Sequence, residues 1–326
     1  MSERWKSSFV AMTAALLFGS GAPAPEAGSP FVVVLGIAQD AGYPHAGCQR
    51  ACCLRVWRDP SLRRHVSSLA IVDPLSRQRW IIDATPDITA QIEMLNQLFP
   101  LVRRPVAAVS PIAEHLGISG ILLTHAHVGH YTGLMYFGRE GIATHDLPVF
   151  AMPRMTKFLT DNGPWSQLVA QHNIELRGLQ EDEEVRLNER LSVTPFRVPH
   201  RDELSETVGF LIRGPRRTVV FIPDIDKWER WDRRVEDYVA KSDRLYIDGT
   251  FFADGEVPGR SIKEIPHPFI SETMARLSPL KPVERSRVHF IHLNHTNPAL
   301  DPKSAAARQI QREGFHVARE GERFGL

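Results

Sequence analysis

The chain of 326 residues reads as a mixed α/β protein built as a four-layer αββα sandwich, and three observations predict it. β-rich runs and helix-period segments are interleaved through two comparable halves, which favours layered sheets with helices packed on them. Some runs, such as Phe31 to Leu35, are continuously apolar, as strands buried on both faces are. Histidines and aspartates recur just beyond strand ends, at His125, His200 and Asp224. Periodicity alone leaves a doubly wound sheet open as well. With 43% hydrophobic and 24% charged residues, the chain can bury one large core. Its 39 basic and 38 acidic residues are scattered without long runs, so no polyanion-binding surface is expected and nucleic acid is not an expected partner.

The first 28 residues differ from the rest. Arg4 and Lys6 precede an apolar run from Phe9 to Phe18, then a small, Pro-rich stretch from Gly19 to Pro30, which is signal-peptide architecture. Ala22 and Ala24 are each followed by Pro, so the stretch holds no clean cleavage site. The leader predicts a periplasmic or secreted protein, or a cytoplasmic one if it is only a disordered extension. Its apolar run is too short to span a bilayer, so no transmembrane segment is expected. Residues 29–326 are expected to form a single domain.

Phe31 to Leu35, closed by Gly36, is the first strand, and a cysteine knuckle follows in a loop. Ser67 to Val72 and Arg79 to Asp83 form a hairpin pair around Asp73-Pro74-Leu75-Ser76. Pro86-Asp87 opens a helix with Ile88, Ile92 and Leu95 on one face. Ile121 to Leu123 is a short buried strand, and a helix runs from about His130 to Arg139. Leu147 to Ala151 is a strand, and Met155 to His172 is helical with a break at Gly163-Pro164. In the second half, Leu191 to Val198, Thr207 to Arg213, Thr218 to Ile222, Arg244 to Asp248 and Arg287 to His292 are strands. Helices are expected at Arg233 to Ala240, Phe269 to Leu277 and Lys303 to Gly314.

His125, His127 and His130 stand at i, i+2 and i+5 behind an apolar strand. Period-two alternation turns His125 and His127 the same way, so two imidazoles face one cation. A third ligand is expected at His200, after the strand ending at Val198. Asp224 follows the run Val219 to Ile222, well placed for a metal or its water, with Asp226 a second candidate and a helix N-cap the competing use of either. Asp248 ends another strand, where turn hydrogen bonding competes with ligation. In the last strand, alternation separates His292 from His289 without saying which face meets the site, and His295 lies just beyond. His267, between two prolines, reads as a loop residue. The three cysteines fall within six residues, which excludes a disulfide network. His45, Cys48, Cys52 and Cys53 form a candidate structural zinc knuckle whose fourth ligand is His45 or a distant histidine.

In order, Asp83, His-x-His-x-Gly-His, His200, Asp224 and His292 resemble the metallo-β-lactamase superfamily over nearly all of residues 31–326. That resemblance implies the αββα sandwich, with His125, His127 and His200 on a first metal, Asp224 bridging, and His130 and His292 on a second. More narrowly, Val34-Leu35-Gly36 before a cysteine knuckle, Thr-Pro-Asp-Ile at 85–88, Asp-Gly-Thr-Phe at 248–251 and Phe-Ile-His-Leu-Asn-His-Thr-Asn-Pro at 290–298 resemble the pyrroloquinoline quinone (PQQ) biosynthesis protein B branch. That branch typically lacks the early His pair and the third His, whereas this chain has a more hydrolase-like first site. The superfamily motif is H-x-H-x-D-H, and its Asp holds the second metal. Gly129 occupies that slot here, which implies a weak or absent second metal, with His295 or Asp226 as substitutes near in sequence.

The expected activity is metal-assisted hydrolysis of a small ester, lactone, phosphodiester or amide, on a small-molecule or peptide substrate. Zinc held by three imidazoles would lower the pKa of its water from about 15.7 towards about 7. Asp224 would orient that water and take its proton, and His130 or His292 would protonate the leaving group. The alternative is iron-dependent oxygenation in PQQ maturation, or carriage of the quinone.

Overall fold

A computed structural model describes residues 28–100, 116–256 and 266–326, so the expected leader lies outside the described residues except for Gly28. The first half supplies β1 (Phe31–Gly36), β2 (Ser68–Asp73), β3 (Gln78–Ile82), β4 (Gly120–Leu122), β5 (Leu147–Ala151) and β6 (Ile174–Gly178). The second supplies β7 (Val185–Arg186), β8 (Ser192–Arg197), β9 (Val208–Arg213), β10 (Thr218–Ile222), β11 (Arg244–Asp248), β12 (Val288–Ile291), β13 (His316–Val317) and β14 (Arg323–Gly325). They assemble into two seven-stranded sheets, ordered β14-β1-β2-β3-β4-β5-β6 and β13-β12-β11-β10-β9-β8-β7. This is the αββα sandwich, not the doubly wound sheet.

The continuous apolar runs follow from burial on both faces. In β1 and β2, Val32, Val34, Leu69 and Ile71 face the second sheet, while Phe31, Val33, Ala70 and Val72 pack outward. Their outward neighbours include Ile88, Ile92 and Leu95 of helix α2 (Ile88–Leu98), so each face is covered by a layer. Arg79 of β3 is also fully buried. Its guanidinium donates to Leu116 O at 2.6 Å, Gly117 O at 2.9 Å and Asn96 Oδ1 at 2.9 Å, fastening α2 and the segment that leads into β4. Burial lowers its pKa to about 10, so it keeps its charge at neutral pH.

Several elements differ from expectation. The knuckle is not all loop, because Cys52 and Cys53 lie on helix α1 (Ala51–Arg58), which buries Cys53 and Val56. The helix expected at 130–139 is a single turn, α3 (Val128–Tyr131), followed by a 3-10 stretch, Thr132–Phe137. There the backbone presses on the chain after β3: Gly133 N donates to Ala84 O at 2.9 Å, and a Cβ on Gly133 would overlap Thr85 O. Strands β6, β7, β13 and β14 and the short helix Pro282–Arg285 carry no strong local pattern and were not expected.

β3 and β4 run parallel, and β1 reaches β3 through two antiparallel pairings, so all three end at one rim. β10, β11 and β12 are parallel, and β8 joins them through antiparallel β9, which gathers their C-terminal ends as well. Val208 N donates to Thr124 O at 3.1 Å across the sheets at that rim.

Candidate metal centre

Seven strand ends deliver their next residues to this rim, and the sequence candidates meet there. His125 Nε2 and His127 Nδ1 are 2.9 Å apart, and His200 Nε2 lies 3.2 Å from His127 Nδ1. Asp224 Oδ2 stands 3.4 Å from His125 Nε2 and 3.2 Å from His200 Nε2. These are the edge lengths of a tetrahedron with ligands about 2.0–2.1 Å from its centre. Three nitrogen lone pairs and a carboxylate oxygen converging at such distances repel unless a cation lies between them, so the donor set fits a metal ion.

The other nitrogen of most of these rings is held from outside. Asp83 Oδ2 is 2.7 Å from His130 Nδ1 and also accepts from Thr124 Oγ1, while its Oδ1 accepts from Thr124 N at 2.8 Å. Asp226 Oδ1 is 3.1 Å from His200 Nδ1, and Arg230 binds its other oxygen. Thr124 Oγ1 meets His125 Nδ1 at 2.9 Å, and Thr250 Oγ1 meets His292 Nδ1 at 3.1 Å. Such outer partners fix the tautomer and aim of ligating imidazoles. Asp226 therefore holds a ligand from behind, and does not replace the Asp missing at Gly129. Asp83 and His292 adopt the left-handed region, with φ of 68° and 63°, a strained backbone that turns each side chain into the rim.

His267, expected as a loop residue, is buried in the centre. Its Nδ1 is 2.9 Å from Asp248 Oδ2 and 3.2 Å from Asp224 Oδ1. Asp248 also accepts from the backbone N–H groups of Ile225 and Thr250, so it serves the turn and the centre at once. His289 faces away, stacked on His316 with ring centroids 4.7 Å apart.

His130 and His292 bring their Nε2 atoms to a carboxylate that the sequence reasoning missed. Asp40 Oδ1 lies 3.4 Å from His130 Nε2 and 3.7 Å from His292 Nε2. Each of these rings has its Nδ1 engaged, by Asp83 and by Thr250, and its Nε2 aimed at Asp40. Asp40 stands four residues past the end of β1, and the strand-end pattern that picked out Asp224 applies to it equally.

Electrostatics follow from this crowding. Burial alone would lower the His130 pKa, but Asp83 and Asp40 raise it to about 10. Against burial, Asp224 and Asp226 raise His200 to about 9. Burial, reinforced by the charge of His130, holds His125 well below the usual imidazole range. Burial opposes ionisation of Asp224, yet His200, His267 and His292 keep it well below the carboxylate range. A negative potential strong enough to protonate two buried imidazoles is one that a divalent cation would neutralise in their place.

A second cluster joins Cys52 and Cys53 of α1 with Cys48 and His295. Cys48 Sγ and Cys52 Sγ are 3.9 Å apart, and His295 Nδ1 lies 3.7 Å from Cys52 Sγ and 3.4 Å from Cys53 Sγ. His45 is not the fourth member, because its Nδ1 faces Ala46 O at 2.8 Å and its ring packs on His295. This placement also removes His295 from the histidine centre. Burial pushes the Cys53 thiol up to about 12, so its thiolate needs a cation beside it.

Residues 78–293 match the β-lactamase superfamily domain. The chain is 28% identical over 316 residues to a coenzyme PQQ synthesis protein B of Methylorubrum extorquens strain PA1, across 89% of this chain and 98% of that protein. A coenzyme PQQ synthesis protein B of Xanthomonas axonopodis pv. citri strain 306 is 27% identical, across 90% and 99%. The crystal structure of Zn2+-bound PqqB from Methylobacterium extorquens matches with a TM-score of 0.75 and 25% identity, covering 91% of this chain and all of that one. A diphosphatase of the PhnP family shares the fold, with a TM-score of 0.59 at 18% identity over 91% of this chain and 98% of that one. The chain therefore belongs to the β-lactamase superfamily, with the metallo-β-lactamase fold, in a branch similar to PqqB.

Proposed function

We propose that the protein is a metal-dependent hydrolase acting on a small ester, lactone, phosphodiester, amide or peptide. The observation that carries this reading is the convergence of His125 Nε2, His127 Nδ1, His200 Nε2 and Asp224 Oδ2 on one point. Held there by His125, His127 and His200, zinc, which the PqqB relative binds, would leave a position for a water and lower its pKa from about 15.7 to about 7. Asp224, at the edge of that centre, would orient the attacking water and take its proton. His267, 3.2 Å from Asp224 Oδ1 and braced by Asp248, holds that carboxylate in place. Asp83 and Asp226 keep the rings aimed. The test combines zinc and iron counting on protein purified without added metal with turnover on chromogenic esters, lactones and phosphodiesters. Zinc with metal-dependent hydrolysis supports the reading, and a metal-loaded protein inert on every class would sink it.

A second reading is supported by the likeness to coenzyme PQQ synthesis protein B over 89% of the chain. In it the same donors hold iron for oxygenation of a quinone precursor, or the sandwich carries the quinone. Iron in place of zinc, with oxygen uptake in the presence of a precursor, favours it.

The outer carboxylates yield a prediction. Asp83→Asn and Asp226→Asn keep the shapes of the side chains but remove the charge that orients His130 and His200, and each is expected to lower metal affinity about 10–100-fold. Competition with a chromophoric chelator measures this. Unchanged affinity in both variants would remove them from the metal centre.

Cys48, Cys52, Cys53 and His295 form a structural zinc site in this reading. His295→Ala is expected to lose one zinc per chain and His45→Ala none, by elemental analysis; equal zinc in both would assign the fourth ligand wrongly. Residues 29–326 act as one domain, and the leader directs export to the periplasm. A periplasmic form still carrying Met1 by mass spectrometry would contradict cleavage.

A further inference from the structure

We infer that Asp40 and Gly129 form an exchanged pair, in which Asp40 supplies the carboxylate of a second cation site and Gly129 supplies its space. The inference rests on the metal centre proposed above and extends it.

Asp40 Oδ1, His130 Nε2 and His292 Nε2 are each buried without a hydrogen-bond partner, and they point at one another. His130 and His292 are wholly buried, which makes three orphaned polar atoms in one place expensive unless something fills the gap. Their separations, 3.4 and 3.7 Å from Asp40 Oδ1, are close to the tetrahedral edge for a first-row cation. Asp224 Oδ2 lies 4.0 Å from His130 Nε2 and so borders both clusters.

Gly129 explains how Asp40 fits. A Cβ at position 129 would overlap Asp40 Oδ1 and lie 2.6 Å from Asp40 Cα, a collision with backbone that no rotamer relieves. Position 129 therefore takes no side chain while the loop carries Asp40 past it. The loop bearing Asp40 is pinned in place. Leu293 N donates to Ile37 O at 2.7 Å, Gln39 N donates to Leu293 O at 2.9 Å, and Ser67 N donates to Ala38 O at 2.8 Å. Backbone bonds on both sides of Ala38 thus fix the carboxylate beside His292. The expectation that Gly129 empties the second site is replaced: the carboxylate arrives from β1 instead of α3.

The test uses the full chain loaded with cobalt(II), with equivalents counted by elemental analysis, the d–d spectrum recorded, and folding checked by circular dichroism. Wild type is expected to hold one more cobalt than Asp40→Asn. An outer-shell partner is worth about 10–100-fold in affinity, so loss of the ligand itself weakens the second cation by at least about 100-fold. Gly129→Asp alone is expected to lose that cation too, by collision. The double variant Asp40→Gly with Gly129→Asp still meets the Cα of residue 40 and is expected to lose that cation as well. Asp40→Asn retaining both site cations with an unchanged spectrum would overturn this inference alone. A wild-type chain holding no cobalt beyond the thiolate-bound one would overturn the metal centre and the exchange together.

Discussion

Asp224→Ala is expected to lower turnover by about 10³-fold or more and to weaken metal retention in the same preparation. Its carboxylate has several duties. Oδ2 lies within 3.4 Å of His125 and His200 and within 4.0 Å of His130, and Oδ1 faces His267. Alanine removes the group that orients water, the acceptor of its proton and the anion shared by the two clusters. It also removes one of the charges that raise the pKa values of His200 and His267, so both move down, while Asp226 and Asp248 still hold them up in part. Single-turnover kinetics with parallel metal analysis checks the prediction. Turnover within about tenfold of wild type would exclude Asp224 from the reacting site.

Arg79→Ala has the largest expected effect on stability, a loss of about 3–5 kcal/mol. The side chain is fully buried in β3 and makes three hydrogen bonds, to Leu116 O, Gly117 O and Asn96 Oδ1. Truncation leaves three acceptors without their donor, at about 1–3 kcal/mol each where water cannot reach, and opens a cavity as well. Some relaxation keeps the total below the simple sum. Because those carbonyls lead into β4, whose end carries His125 and His127, the variant should also hold metal less well. Urea unfolding followed by circular dichroism measures the loss. Arg79→Lys, which keeps the charge but not the fork, should fall between the two, and an unshifted midpoint in Arg79→Ala would refute the assignment.

The parts of the fold legible in sequence were those with strong local signals. Leu147–Ala151, Thr218–Ile222 and Arg244–Asp248 are strands over the residues expected, because each is an apolar run bounded by turn-forming residues. β13 and β14 have two and three residues, too few to carry a period, and exist only because a neighbouring strand offers its edge. Among the described residues no helix is long and apolar enough to cross a membrane. The centre divides in the same manner. His125 and His127 were legible because alternation along one strand sets their common direction, and His200 and Asp224 because each follows a recognisable strand. His267 lies in a loop, as expected, and its contacts with Asp224 and Asp248 were not legible because that loop has no period.

What the sequence by itself determined is the set of candidate donor residues and the strand ends that carry them, since strand period and apolar runs are local properties. Tertiary structure alone decided the partnerships between distant segments. Asp40 takes the space at Gly129 although 89 positions separate them, and His295 joins Cys52 and Cys53 where His45 stood nearer in sequence. The physical reason is common to both. Ligation requires atoms within a few ångströms of one point, and the packing of two sheets, not the spacing of residues along the chain, determines which atoms arrive there.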